Sequence, residues 1–289
     1  MAYKTIVMTL IEARNLFRNS LNDLYLQAEI DALFKSCIAH YFQWESTKVG
    51  LAPQQQLKPD EEAIISATLG KLQTATPLQY ILGETIFCGL KLKVAPAVLI
   101  PRPETEELVE WILEEQNQDR KTVVDLCTGS GCIALALAKQ RPSWQLTAVD
   151  VSAEALEIAK ENSNANSLKV NWKEADVLMP ALTLDKCDCI VSNPPYVLPS
   201  EIKKMHANVL KHEPALALFV PEENPLLFYD AILQLGRKTL NPNGAIYFEI
   251  NPLCSDQLIN LGNQLGYAYA EIKKDIFGKA RFIKFRFIA

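Results

Sequence analysis

From residue 121 onward, short apolar runs alternate with longer stretches whose apolar residues recur at helical spacing. That alternation limits the possible folds more than any other feature of the chain. Strands are expected at 121–126, 145–149, 169–172, 187–192 and 245–250, and helices at 132–139, 153–162, 226–240 and 253–265. A strand–helix–strand rhythm predicts an α/β fold with a mostly parallel, doubly wound sheet. Two further strands, 267–272 and 281–288, have only a short connection between them and predict one antiparallel member. Ligands on such sheets bind beyond the carboxyl ends of the strands.

The first part of the chain reads differently. From residue 4 to about 74 there is almost no glycine, and apolar residues such as Leu21, Leu24, Tyr25, Ala28, Leu33, Phe34, Cys37 and Ile38 recur at helical spacing. Pro53 and Pro59 punctuate the segment, and Asp60 reads as the N-cap of a helix through Ala63, Ile64, Ala67 and Leu69. A small helical bundle is expected. Its charges nearly cancel, which favours contact with protein over nucleic acid. Residues 81–94 alternate around Gly83 and Gly89, the pattern of a β-hairpin between two domains, and Pro103 opens a helix with acidic residues in its first turn. The domains expected are 1–75, a helical substrate-recognition domain; 76–103, a linker with the hairpin; and 104–289, the sheet domain. A length of 289 residues fits about two domains.

Two places at the strand ends carry chemistry. Between the first strand of the sheet and its helix lies Asp125-Leu126-Cys127-Thr128-Gly129-Ser130-Gly131. Gly129 and Gly131 let the backbone pass close to a ligand, and the following helix offers free N–H groups. Asp150 closes the second strand, where a carboxylate can accept both ribose hydroxyls. This is a nucleoside-binding, Rossmann-like arrangement, but the dinucleotide fingerprint G-x-G-x-x-G is not met.

The second place is Asn193-Pro194-Pro195-Tyr196, after the fourth strand of the sheet. Consecutive prolines stiffen the turn and withhold N–H donors, leaving carbonyls as acceptors. The Asn193 side-chain oxygen and the Pro194 carbonyl can each take one hydrogen of a planar NH2 group. That grip aims the nitrogen lone pair, and Tyr196 supplies a wall for a flat substrate group.

Together these segments resemble a known family. Thr-Gly-Ser-Gly with Asn-Pro-Pro-Tyr is similar to the class I S-adenosylmethionine-dependent methyltransferases that act on a conjugated NH2. Residues 77–83 (PLQYILG), 98–106 (VLIPRPETE), 190–196 (IVSNPPY) and 212–218 (HEPALAL) narrow the resemblance to the release factor glutamine methyltransferases, the HemK/PrmC family. It runs from about residue 77 to 287.

The resemblance implies methylation of the glutamine N5 in the Gly-Gly-Gln loop of class 1 peptide chain release factors, a cytoplasmic step of translation termination. It implies S-adenosylmethionine held by Cys127, Thr128, Gly129, Ser130, Gly131, Asp150, Asp176, Val177 and Asn193. It implies a catalytic group of Asn193, Pro194, Pro195 and Tyr196, with no metal. Three positions depart from the family pattern. Cys127 stands where glycine is usual, so no positive φ is expected there. Asn251 follows Glu249-Ile250 where glycine is common, and Val177 replaces an aromatic residue found in some relatives.

Other readings compete. An adenine-N6 methyltransferase acting on DNA or RNA would also grip a conjugated NH2, but it needs base flipping and a basic cleft, and the net charge is −5. A nucleotide-binding interaction module would not need the intact Asn193–Tyr196 turn. Stable nucleic-acid binding is not expected. Seven cysteines and no recognisable secretory leader point to reduced thiols, and no apolar run is long enough to cross a membrane. Cys187 and Cys189, in one strand, face the same way, and without a second Cys or His pair of suitable spacing they read as buried thiols. His40, His206 and His212 form no dyad, and Lys203, Lys204 and Lys211 read as a solvated face.

Overall fold

The computed structural model describes residues 8–44, 52–116 and 119–286. Residues 4–7 and 45–51 of the expected helical part, and 287–288 of the expected last strand, lie outside them. The chain divides into two compact units: residues 1–83 with 206–212, and residues 84–205 with 213–289.

The first unit is helical: Leu10–Leu21, Gln27–Phe42, Pro59–Gln73 and Leu78–Leu82, together with Ala207–His212. Thr9 starts the first helix with a capping box: its hydroxyl accepts the Glu12 N–H, and the Glu12 carboxylate accepts the Thr9 N–H. The inner faces build a core around Phe17 and Phe34, packed edge to face at 5.2 Å, with Leu10, Ile30, Ile65, Leu69 and Leu72. Asp31 ties two turns of the first helix to the second, accepting paired bonds from Arg14 and Arg18 at 2.6–3.0 Å. His212 Nε2 lies 3.2 Å from the Thr74 carbonyl oxygen.

Two details differ from expectation. The third helix is capped by Lys58, not Asp60, because Pro59 takes the first helical position, where its missing N–H costs nothing, and Asp60 falls in the first turn. Ile81 and Leu82 belong to a short helix that Gly83 ends at φ +75°, so the hairpin begins only at Glu84.

That hairpin, β1 (Glu84–Phe87) and β2 (Leu90–Lys93), opens the second unit and turns through Cys88 and Gly89, both at positive φ, as a two-residue turn between twisted strands requires. The helix Pro103–Glu115 follows. Then come β3 (Thr122–Leu126), β4 (Gln145–Asp150), β5 (Asn171–Glu174), β6 (Cys187–Ser192), β7 (Leu240–Glu249), β8 (Tyr269–Lys274) and β9 (Ala280–Arg286) in one sheet of order β5-β4-β3-β6-β7-β9-β8. Only β9 runs against the others.

Alternate side chains fill two cores, as a sheet covered on both faces demands. Val123, Leu146, Val191 and Tyr247 pack under the helices Pro103–Glu115 and Cys132–Gln140, while Val124, Val149, Ile190 and Phe248 pack with Tyr229, Ile232 and Leu258. Cys187 and Cys189 do not share a face. The β6–β7 register shifts between them, so Cys187 joins the second core and Cys189 the first. The connection from β3 goes to β4 on one side while β6 lies on the other, so the strand ends diverge above β3.

Candidate active site

The turn after β3 is the floor of the site. Asp125 is fully buried beneath it; its Oδ2 accepts the Thr128 hydroxyl (2.6 Å) and the Ala134 N–H (3.2 Å). Its Oδ1 has no hydrogen-bond partner among the described residues. Burial pushes the carboxyl up to about 7, against the pull of Thr128 and Ala134. These bonds fold the turn tightly, and three of its residues take positive φ: Cys127 (59°), Gly129 (56°) and Gly131 (80°).

Cys127 thus adopts the left-handed conformation that its side chain was expected to avoid. The turn imposes the conformation, and the residue bears the strain. The two glycines differ in purpose. A Cβ on Gly131 would lie 2.8 Å from the Trp172 ring, so that glycine serves packing, whereas a Cβ on Gly129 would meet nothing within 4 Å.

Asp150, at the end of β4, accepts the Gly129 N–H on Oδ2 (2.8 Å) and the Ser152 N–H on Oδ1 (3.0 Å). Burial raises its pKa, and those backbone donors oppose the rise. One hydrogen bond per oxygen leaves each with a further lone pair. Asp176 orders the turn after β5 by accepting the Leu178 N–H (2.8 Å).

A cavity of about 320 Å³ opens over these strand ends, within the range of small-molecule sites. Of the expected residues, Cys127, Thr128, Gly129, Ser130, Asp150, Asp176, Val177, Asn193 and Pro195 line it; Gly131, Pro194 and Tyr196 do not. Tyr196 packs against the second core and donates its hydroxyl to Glu249 Oε1 (3.0 Å) instead of standing in the cavity wall. The turn is braced from behind, where Asn251 Nδ2 donates to the Tyr196 carbonyl (3.2 Å).

Several lining or supporting residues were not singled out from the sequence. Phe228 brings an aromatic ring to the cavity from the helix Leu227–Thr239. Arg102 lines it too, paired at 2.5 Å with Glu213, whose side chain is 1% exposed. Thr105, which also lines the cavity, links Asn193 to Glu249: the Thr105 hydroxyl donates to Glu249 Oε2 (2.7 Å), and Asn193 Nδ2 donates to Thr105 Oγ1 (3.3 Å). Arg102, Thr105 and Glu213 sit inside motifs quoted for the resemblance, and an acidic residue closing a central strand was a signal for Glu249. His40, His206 and His212 do not line the cavity, and Lys203, Lys204 and Lys211 are exposed.

Comparison with known proteins agrees with this geometry. The Methyltransferase small domain family matches residues 103–218, and the PrmC N-terminal domain matches residues 12–83. The release factor glutamine methyltransferase of Bacteroides thetaiotaomicron is 41% identical over 267 residues, covering 92% of this chain and 96% of the relative. That of Flavobacterium psychrophilum is 39% identical over 278 residues, covering 95% and 98%. Among solved structures, a methyltransferase from Pyrococcus furiosus shares the fold at a TM-score of 0.53 and 18% identity, over 80% of this chain and all of that one (100%). The 16S rRNA N2 G1207 methyltransferase of Thermus thermophilus, solved with AdoMet and guanosine, does so at 0.51 and 18%, over 71% and 50%. Among the described residues no helix is long and apolar enough to cross a membrane.

Proposed function

The chain belongs to the release factor glutamine methyltransferases, and on that premise we propose that it methylates N5 of the glutamine in the Gly-Gly-Gln loop of class 1 peptide chain release factors, using S-adenosylmethionine. The observation that carries this reading is the meeting of Asn193 with a cavity that runs to Asp150 at one edge of the sheet. The adenine-N6 alternative is not favoured, because relatives similar over 92–95% of the chain are named for a release factor glutamine.

The cavity's chemistry suits an adenosyl group. Val151, Ala155, Val177 and Phe228 offer apolar surface to a flat base, and Asp150 and Asp176 offer acceptors to hydroxyl donors. Cys127, Thr128, Ser130 and the two glycines hold the turn that faces it, and Asp150 fastens that turn through the Gly129 N–H. S-adenosylmethionine, when bound, supplies a methyl group on a positively charged sulfur.

The chain's own task is to aim the nucleophile. An amide nitrogen is weak because its lone pair is delocalised into the carbonyl. The Asn193 oxygen, at the cavity, accepts one N–H of the target, and the Pro194 carbonyl, although Pro194 does not line the cavity, is the acceptor for the other; together they fix the plane and turn the lone pair toward the methyl. Pro195 and Tyr196 hold that turn rigid. No base is needed early, since the nitrogen sheds a proton readily once it is methylated. Orientation of this kind is worth roughly 7–11 kcal/mol.

The helical unit contacts the release factor away from the reacting glutamine, and the reaction belongs to the cytoplasm. Purified chain, labelled S-adenosylmethionine and a release factor test the reading. Label should enter the wild-type factor and not one with Glu for the target Gln. Label in nucleic acid instead would overturn it.

A further inference from the structure

An asparagine amide is useful to an NH2 substrate in only one of its two orientations. Its oxygen must face the substrate, because its own NH2 would oppose the incoming N–H groups. Nothing within Asn193 sets that choice, so it must come from the groups that touch it.

Asn193 Nδ2 lies 3.3 Å from Thr105 Oγ1. Thr105 is 2% exposed and has a single hydroxyl hydrogen, which goes to Glu249 Oε2 at 2.7 Å. The other Glu249 oxygen accepts the Tyr196 hydroxyl at 3.0 Å. An ionised carboxylate only accepts. Burial raises the pKa of Glu249, and the two hydroxyl donors and the positive charge of Arg281 pull it back toward the charged form.

Each Glu249 oxygen accepts a hydroxyl, so the hydrogen bonds all run one way, from Asn193 to Thr105 to Glu249. With its hydrogen spent on Glu249, Thr105 can present only a lone pair to Asn193. The Asn193 NH2 must turn toward Thr105, and its oxygen is left for the cavity that Asn193 lines. In the opposite orientation, oxygen would face oxygen with no hydrogen between them.

We propose that Glu249 and Thr105 are positioning residues that fix the orientation of the Asn193 amide, and so make it an acceptor for the NH2 of the target glutamine. The proposal rests on the role given to Asn193 above. It also explains why Tyr196 shares the carboxylate: Glu249 grips the turn at both ends, Asn193 through Thr105 and Tyr196 directly.

The test uses the full chain with S-adenosylmethionine and a release factor, measuring kcat, KM for the factor, cofactor affinity and Tm. Thr105→Val keeps the shape and removes the hydroxyl. It should lower kcat by about tenfold to a hundredfold, with KM and cofactor affinity moving less than about twofold. Thr105→Ser, which keeps the hydroxyl, should restore most of the rate. Glu249→Gln, which brings a donor into the chain of bonds, should slow the reaction as Thr105→Val does.

The decisive measurement is the double variant. If Thr105 acts through Asn193, adding Thr105→Val to Asn193→Ala should slow the reaction no further. The proposal is overturned if Thr105→Val keeps its rate, if the two losses multiply, or if the loss follows Tm or cofactor affinity. Failure of the functional reading would look different: the wild-type chain itself would leave the release factor unlabelled.

Discussion

Asp125 is a buried carboxyl group and Asp150 a half-buried one, both near the glycine turn, and their neighbours give them different work. Asp150 faces the cavity with a lone pair to spare on each oxygen. A charged hydrogen bond is worth roughly 1.5–3 kcal/mol, so Asp150→Ala should weaken S-adenosylmethionine binding by about tenfold to a hundredfold. Titration calorimetry with unchanged affinity would remove Asp150 from the site.

Asp125 is raised from an ordinary 3.8 to about 7, first by burial. Between those values the folded chain keeps a proton that the unfolded chain has released. Its contribution to stability is therefore complete below 3.8 and is lost as the pH rises to about 7. Asp125→Asn has no proton to lose. Urea titrations from pH 4 to 8 should show that the variant lacks this part of the decline; parallel curves for the two proteins would contradict the assignment. The sequence made Asp150 and Asn193 legible, because each ends a strand in a motif whose chemistry is local. It did not reveal Thr105 and Glu249, since their role exists only where two distant segments meet a third. It also misjudged Cys127, whose φ is set by the bonds of the turn and not by its own preference.

At the scale of elements, glycines show how closely each helix sits on its neighbour. A Cβ at Gly262 would fall 2.2 Å from the Phe285 ring, where the helix Ser255–Gln264 packs on β9. Gly262→Ala should destabilise the protein by about 1–3 kcal/mol, because a filled core must shift to admit the methyl group. Gly70 lies inside the helix Pro59–Gln73 with nothing within 4 Å of a Cβ. Gly70→Ala should stabilise by about 0.4–1 kcal/mol through loss of freedom in the unfolded chain. Denaturant midpoints moving the same way for both variants would refute this contrast.

Most elements could be read from spacing alone, since periods of two and 3.6 are visible in any window of the sequence. What spacing could not give was decided between elements. The shift between Cys187 and Cys189 depends on the partner strand, and residues 81–82 went to a helix because Gly83, rather than residue 81, begins the change of direction.

At the scale of the whole molecule, each unit has its own core, so each should tolerate damage to the other. A chain that starts at Glu84 should still bind S-adenosylmethionine, with affinity within about tenfold of the full chain, but should modify intact release factor poorly, because remote contacts position the target. Equal rates for the shortened and full chains would assign the helices some other task.

The helical unit is not one continuous stretch of sequence. Residues 206–212 return to it from between β6 and β7, and His212 meets the Thr74 carbonyl there. Exchange by recombination is therefore constrained. A crossover at Gly83 would import helices matched to a different 206–212 segment, leaving a foreign seam inside the bundle. Chimeras that carry both segments from one parent should express as soluble protein where single-crossover chimeras aggregate. Along a lineage, the helices of this unit and seven residues from the middle of the chain must then change together, inherited as one cassette written in two places.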